Sequence, residues 1–214
     1  MEAVLAAVPA FGAGWYAVRW QHLLYREQAF RDAPAGGRKG LALKAGAGVA
    51  AAAVVAAAFW PDRFSSSDAV LVALFGLAFV VLAATDFDRK RIPDRLSYPA
   101  MALAVLAAPL WDAQGVSDVL FGGLAGFVAG ALLFGGGLFV GSGGMGLGDA
   151  KLMLLIGLVV GWSEVVTAIF LGILIAGVPA VLLLIRGNRK AGYAYGPYLA
   201  AGALAVLLFP AAFG

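Results

Sequence analysis

Cysteine is absent from the chain and histidine occurs once, at His22. Without thiols there is no disulfide framework, no thiolate zinc site and no cysteine nucleophile, and one imidazole is too few for a histidine-based metal site or triad. Charge is scarce as well: Asp, Glu, Lys and Arg make up 13% of the 214 residues, against 63% hydrophobic. At a mean hydropathy of +0.93, the apolar residues exceed what one soluble core of this size buries. A lipid bilayer is left as the solvent, and carboxylates are left as the groups for chemistry.

The uncharged runs cover residues 3–18, 45–61, 69–85, 96–111, 119–148, 152–163, 165–185 and 191–214. Most approach the roughly 20 residues that a helix needs to cross about 30 Å of hydrocarbon. The pattern predicts an all-α polytopic membrane protein, a single domain over residues 1–214 with about eight transmembrane helices. Eight spans place all but one of the 15 Lys and Arg on one side, the exception being Arg63. By the positive-inside rule that side is cytoplasmic and both termini are extracytoplasmic. The formal charge of +3 therefore records topology and not nucleic-acid binding.

Met1-Glu2 opens with an acid and no basic region precedes the first apolar run, so that run reads as a retained span and not a secretory signal. Residues 19–44, with Arg26, Arg31, Arg38 and Lys39 around Pro34-Ala35-Gly36-Gly37, read as a short basic cytoplasmic loop. Gly122, Gly123, Gly126 and Gly130 permit close helix approach in lipid. Tyr193, Tyr195 and the tryptophans are read as interfacial anchors.

The stretch "GSGGMGLGDAKLM", residues 141–153, contains G-x-G-x-x-G and so poses a dinucleotide-loop reading. That reading fails on context. The preceding apolar run is membrane-length and not a short buried strand, and Asp149 stands where a phosphate loop needs a lysine. Residues 152–163, as a helix, rise only about 18 Å, whereas 119–148 is longer than one span requires. Both oddities vanish if the fifth span ends near Val140 and Asp149 opens the sixth inside the low-dielectric layer. An ionisable group at that depth is a functional candidate by default; the bland alternative is a helix-terminal Asp pairing with Lys151 at the surface. Gly144, Gly146 and Gly148 clear side chains from around the carboxylate, leaving room for an extended peptide.

In "ATDFDRKRIPDRLSYP", residues 84–99, Asp86 ends the third span and is the deepest acid of its loop. Asp88 reads as a solvated acid among Arg89, Lys90, Arg91 and Arg95. Pro93 fixes a turn, and Asp94 is placed to cap the next helix. Asp86 and Asp149 thus stand at the same ends of two spans. Two carboxylates within a few Å share a proton, so one activates water while the other polarises a scissile carbonyl. Such chemistry needs neither metal nor cofactor.

These stretches resemble a known family, the type IV prepilin peptidases. Gly146-Leu147-Gly148-Asp149 is similar to the G-x-G-D of intramembrane aspartyl proteases, and "GMGLGDAKLM" together with "TDFDRKRIPDRL" resembles the prepilin branch. Tyr195-Gly196-Pro197-Tyr198 is similar to the family's Gly-Pro segment opening the last span. The resemblance covers roughly residues 69–205, the expected peptidase core. It implies Asp86 and Asp149 as the catalytic pair, supported by Gly144, Gly146, Gly148, Lys151, Pro93, Asp94, Gly196 and Pro197. It also implies removal of a short basic leader from prepilin or pseudopilin-like precursors at the cytoplasmic face of the cell membrane, with no cofactor. The family's long bacterial members carry a cytoplasmic insert with four Cys, and residues 19–44 hold none. A peptidase without methyltransferase activity is therefore expected. The alternative from another class is a small proton- or cation-coupled transporter using Asp86 and Asp149.

Overall fold

The computed structural model describes residues 2–25, 37–140, 146–185 and 194–210. Among them the chain is all-helical, without a strand. Its α-helices are α1 (Glu2–Trp20), α2 (Gly37–Ala58), α3 (Ser66–Arg89), α4 (Asp94–Ala107), α5 (Val116–Val140), α6 (Leu147–Val160), α7 (Val165–Ile185) and α8 (Gly196–Leu208). Short 3-10 helices, Gln21–Leu24 and Ala108–Leu110, follow α1 and α4. The helices α2, α3, α5 and α7 contain stretches long and apolar enough to cross a membrane. At 14, 14 and 13 residues, α4, α6 and α8 are shorter, about 20 Å each.

The expected boundaries of the fifth and sixth spans hold: α5 ends at Val140 and α6 opens two residues before Asp149. The basic segment 19–44 is narrower as a loop than expected. Residues 37–44 form the first turns of α2, and Gln21–Leu24 continue the chain after α1 as a 3-10 helix. Residues 41–44, Leu-Ala-Leu-Lys, are good helix formers and extend α2 back toward Gly37, although Gly37 and Gly40 lie in its first turn.

Contacts between the described connections sort to two ends of the bundle. At one end Arg63 bonds the Leu208 carbonyl and lies over the Phe209 ring, so the one basic residue expected opposite the others closes the C-terminus of α8. Asp112 and Gln114 join that end through Asp68 and Val159. At the other end lie Asp86 with Gly196, Lys151 with Asp94, and Gln21 with Asp88.

The centre is built by α3, α6 and α8. Phe75, Phe79, Leu82, Leu152, Met153, Leu155, Ile156 and Leu199 are all essentially inaccessible. The helix α6 sits close against α5 because glycines line the contact. A Cβ at Gly126 would strike the Met153 carbonyl, and one at Gly130 would lie 2.8 Å from Ala150 Cα. Gly130 therefore sets the position of the residue beside Asp149.

Candidate active site

Asp86 stands in the last turn of α3, where Leu82, Thr85 and the preceding apolar turns are buried. The helix stops one turn later at Lys90, whose left-handed backbone, φ 53°, lets its N–H donate to the Asp86 carbonyl at 2.7 Å. Asp86 is only 4% exposed. Its Oδ2 accepts from the backbone N–H of Gly196 at 2.9 Å. Gly196 opens α8 with Pro197 directly behind, as a helix N-terminus with proline in its first turn. A Cβ at Gly196 would lie 2.7 Å from that same Oδ2 and 3.0 Å from Cγ. Glycine is thus a steric requirement here, and the Gly-Pro segment is what holds Asp86.

Asp149 occupies the third position of α6 and is also buried. Its Oδ2 accepts from the Gly146 N–H at 3.0 Å, satisfying a donor the helix leaves unpaired. Asp86 and Asp149 line one cavity of about 250 Å³, walled by Gly146, Gly148 and Ile92 and rimmed by Lys90, Arg91 and the Asp94–Lys151 pair. Each carboxylate accepts a hydrogen bond from a backbone N–H.

The other expected site residues fall as follows. Lys151 does not pair with Asp149; its Nζ lies 2.8 Å from Asp94 Oδ1 and 4.7 Å from the Tyr98 ring centre, tying α6 to α4. Asp94 does not cap α4. Pro93 is the N-cap and makes no side-chain bond, while the Asp94 carboxylate turns to Lys151, a stronger charge-assisted partner. Pro93 lies in the turn as expected and is buried there, and its carbonyl accepts from the Leu96 and Ser97 N–H groups. Gly148 and Gly146 are not demanded by their own surroundings: a Cβ at Gly148 meets Ile92 at an ordinary 3.5 Å, and Gly146 has φ −77°. Both line the cavity, where a side chain would take up space. Gly144 lies outside the described residues.

Asp88 is not a merely solvated acid. Its Oδ2 accepts from Nε2 of Gln21, which is wholly inaccessible, at 2.7 Å, and Arg89 Nε lies 3.6 Å away. Beside it the Tyr25 hydroxyl donates to the Arg91 carbonyl at 3.0 Å, and Arg95 donates to the Leu23 carbonyl at 2.7 Å. Burial pushes the Tyr25 phenol up to about 12, so the hydroxyl stays a donor at every physiological pH. The segment after α1 thus clasps the end of α3 on which Asp86 stands. Sequence reasoning missed Gln21 and Tyr25; the only signal was a polar cluster, "RWQHLLYR", directly behind an apolar run.

Among the described residues no three His, Cys, Asp or Glu side chains lie close enough to hold a metal ion.

Comparison with known proteins decides the family. A model of the type IV leader peptidase family matches residues 72–181, a range that contains both Asp86 and Asp149. The chain belongs to the type IV leader peptidase family. Curated relatives are named prepilin leader peptidase/N-methyltransferase. That of Pseudomonas aeruginosa is 31% identical over 69% of this chain and 52% of its own length. That of Aeromonas hydrophila is 32% identical over 61% and 47%, and that of Bacillus subtilis 30% over 61% and 52%. The chain spans about half the length of these relatives. No solved structure matches it significantly.

Proposed function

We propose that this leader peptidase family member is an intramembrane aspartyl endopeptidase that removes the basic leader of prepilin-like precursors, with Asp86 and Asp149 as its catalytic pair. The observation that carries the proposal is the shared cavity: two buried carboxylates from α3 and α6, each held by a backbone N–H and facing the same space.

The chemistry follows from one proton held between the two groups. The ionised carboxylate takes a proton from water as the water oxygen attacks the scissile carbonyl carbon. The protonated one gives its proton to the carbonyl oxygen. The resulting diol then collapses: the C–N bond breaks, the leaving amine takes a proton from the dyad, and a diol hydroxyl returns one. Gly196 and Gly146 keep the carboxylates oriented, and Gly146 and Gly148 leave room for the extended peptide. The precursor's basic leader stays in the cytosol and its apolar helix in lipid, so the scissile bond meets the dyad at the cytoplasmic interface of the cell membrane. This orientation predicts that a single Cys at Lys39 is labelled from the cytoplasm and one at Ser66 from outside.

The test is purified protein with a tagged precursor of that kind, read by mass. The expected result is a single cut behind the basic leader, unaffected by chelators and with no methyl added to the new N-terminus when S-adenosylmethionine is present. An intact precursor would overturn the reading.

A further inference from the structure

A second cavity, about 970 Å³ and open at the side of the bundle, lies between α2, α3 and α8. Each helix contributes one face at helical spacing, and the middle of the groove is built of small residues: Gly46 and Ala50, Ala83 and Ala84, Ala200 and Ala201. Along α2 it runs from Lys39 to Ala50, about 16 Å, roughly half the hydrocarbon thickness. Its polar end is reached by Lys39, Phe87, Asp88 and Pro197.

That end adjoins the candidate site. Phe87 and Asp88 directly follow Asp86, and Pro197 directly follows Gly196, whose N–H holds the Asp86 carboxylate. A peptide whose scissile bond lies at the dyad, and which continues as an apolar helix, has to leave the site along a helix-wide apolar path. The groove between α4, α5 and α6, about 480 Å³, starts at Met101 and Leu154 and reaches no residue adjacent to either carboxylate.

We propose that the α2–α3–α8 groove receives the apolar helix of the precursor on the C-terminal side of the cleavage site. The inference rests on the peptidase reading and adds to it the surface that recognises the substrate's transmembrane part. In lipid, helices have no hydrophobic reason to associate, so close backbone approach is what favours a helix over acyl chains here, and Gly46 with the accessible Ala50, Ala83 and Ala201 provides it. The substrate helix thereby becomes a fourth wall of the groove, its cytoplasmic end delivered beside Asp86.

Gly46 offers the test, since a Cβ there meets nothing within 4 Å. Gly46→Phe fills the groove, whereas Gly177→Phe on α7, equally open at its Cβ, leaves it empty. With a detergent-solubilised precursor, Gly46→Phe should raise KM about tenfold with kcat within twofold, and Gly177→Phe should change neither. An unchanged KM for Gly46→Phe overturns the proposal. Should that variant not fold, Gly46→Cys decides: it should form a disulfide with a cysteine in the precursor's apolar helix, and Gly177→Cys should not. Cleavage by wild-type protein without that cross-link refutes the groove. The cross-link without cleavage refutes the peptidase reading and keeps the groove; neither refutes both.

Discussion

The helix α3 carries a buried aspartate at each end, Asp68 in its first turn and Asp86 in its last, each 4% exposed. Equal burial hides unlike surroundings. Asp68 accepts the Asp112 N–H at 2.9 Å through Oδ1, its own N–H donates to Ser65 Oγ, and Asp112 in turn accepts from Ser67 at 2.6 Å. These bonds stitch the start of α3 to the loop before α5. Asp86 has one backbone donor and shares a cavity with a second carboxylate from a different helix. Burial of an acid in a membrane bundle therefore does not by itself mark a site; the proposal for Asp86 rests on the second acid across a common space.

The sharpest way to break that comparison is substitution at both ends of α3. Asp86→Asn or Asp149→Asn should lower leader cleavage by about 10³-fold or more, as loss of one member of a cooperating pair does. Asp68→Asn should leave the rate within about threefold, with any loss appearing as lower thermal stability. Turnover assays with folding checked by melting temperature separate the two.

Next in size is Gly196→Ala. Its Cβ would intrude on the Asp86 carboxylate, and a displacement of the order of 1 Å costs about 10²-fold in rate. Gly148→Ala, with only ordinary contacts to Ile92, should keep cleavage within about tenfold. The reverse order of these two glycines in a kcat/KM measurement would contradict the assignment of Gly196 as the group that orients Asp86.

Gln21→Leu should be milder still. It removes the partner of Asp88 inside the clasp, at a cost of about 1–3 kcal/mol in stability, with cleavage reduced through the displaced end of α3. Denaturation in detergent checks the first part and turnover the second.

Much of this was legible in the sequence, and the rest was not for identifiable reasons. The helix ends around Asp86 and Asp149 follow from charge placement against apolar runs, because lipid punishes a misplaced charge. The partner of Lys151 was not legible: Asp149 and Asp94 are both acids near one interface, and only the packing of α6 on α4 selects Asp94. Gln21 bonds a residue 67 positions away, and no periodicity links the two. Gly146 and Gly148 drew notice because they adjoin an acid in sequence and Gly196 only through the family resemblance, yet of these three it is Gly196, 110 positions from Asp86, whose Cβ would clash with the acid it touches.

The smallest expected effect belongs to the stitched end. The Ser67 and Ser65 hydroxyls hold the exposed Asp112 carboxyl below its usual value. A lowered folded-state pKa gives stability that is present above the ordinary carboxylate range and lost as pH falls through the folded value. Ser67→Ala should therefore lower the melting temperature slightly at neutral pH and flatten its decline on acidification, with no change in cleavage.

The central claim, that Asp86 and Asp149 act as one unit across their shared cavity, is tested most directly by a double-substitution cycle on precursor cleavage. Wild type, Asp86→Asn, Asp149→Asn and the double variant are compared in single-turnover reactions. The account predicts that each single substitution costs about 10³-fold or more and that the double variant is no slower than either, since losing one partner already disables the pair. Near-normal cleavage by either single variant, or losses that multiply in the double variant, would contradict it.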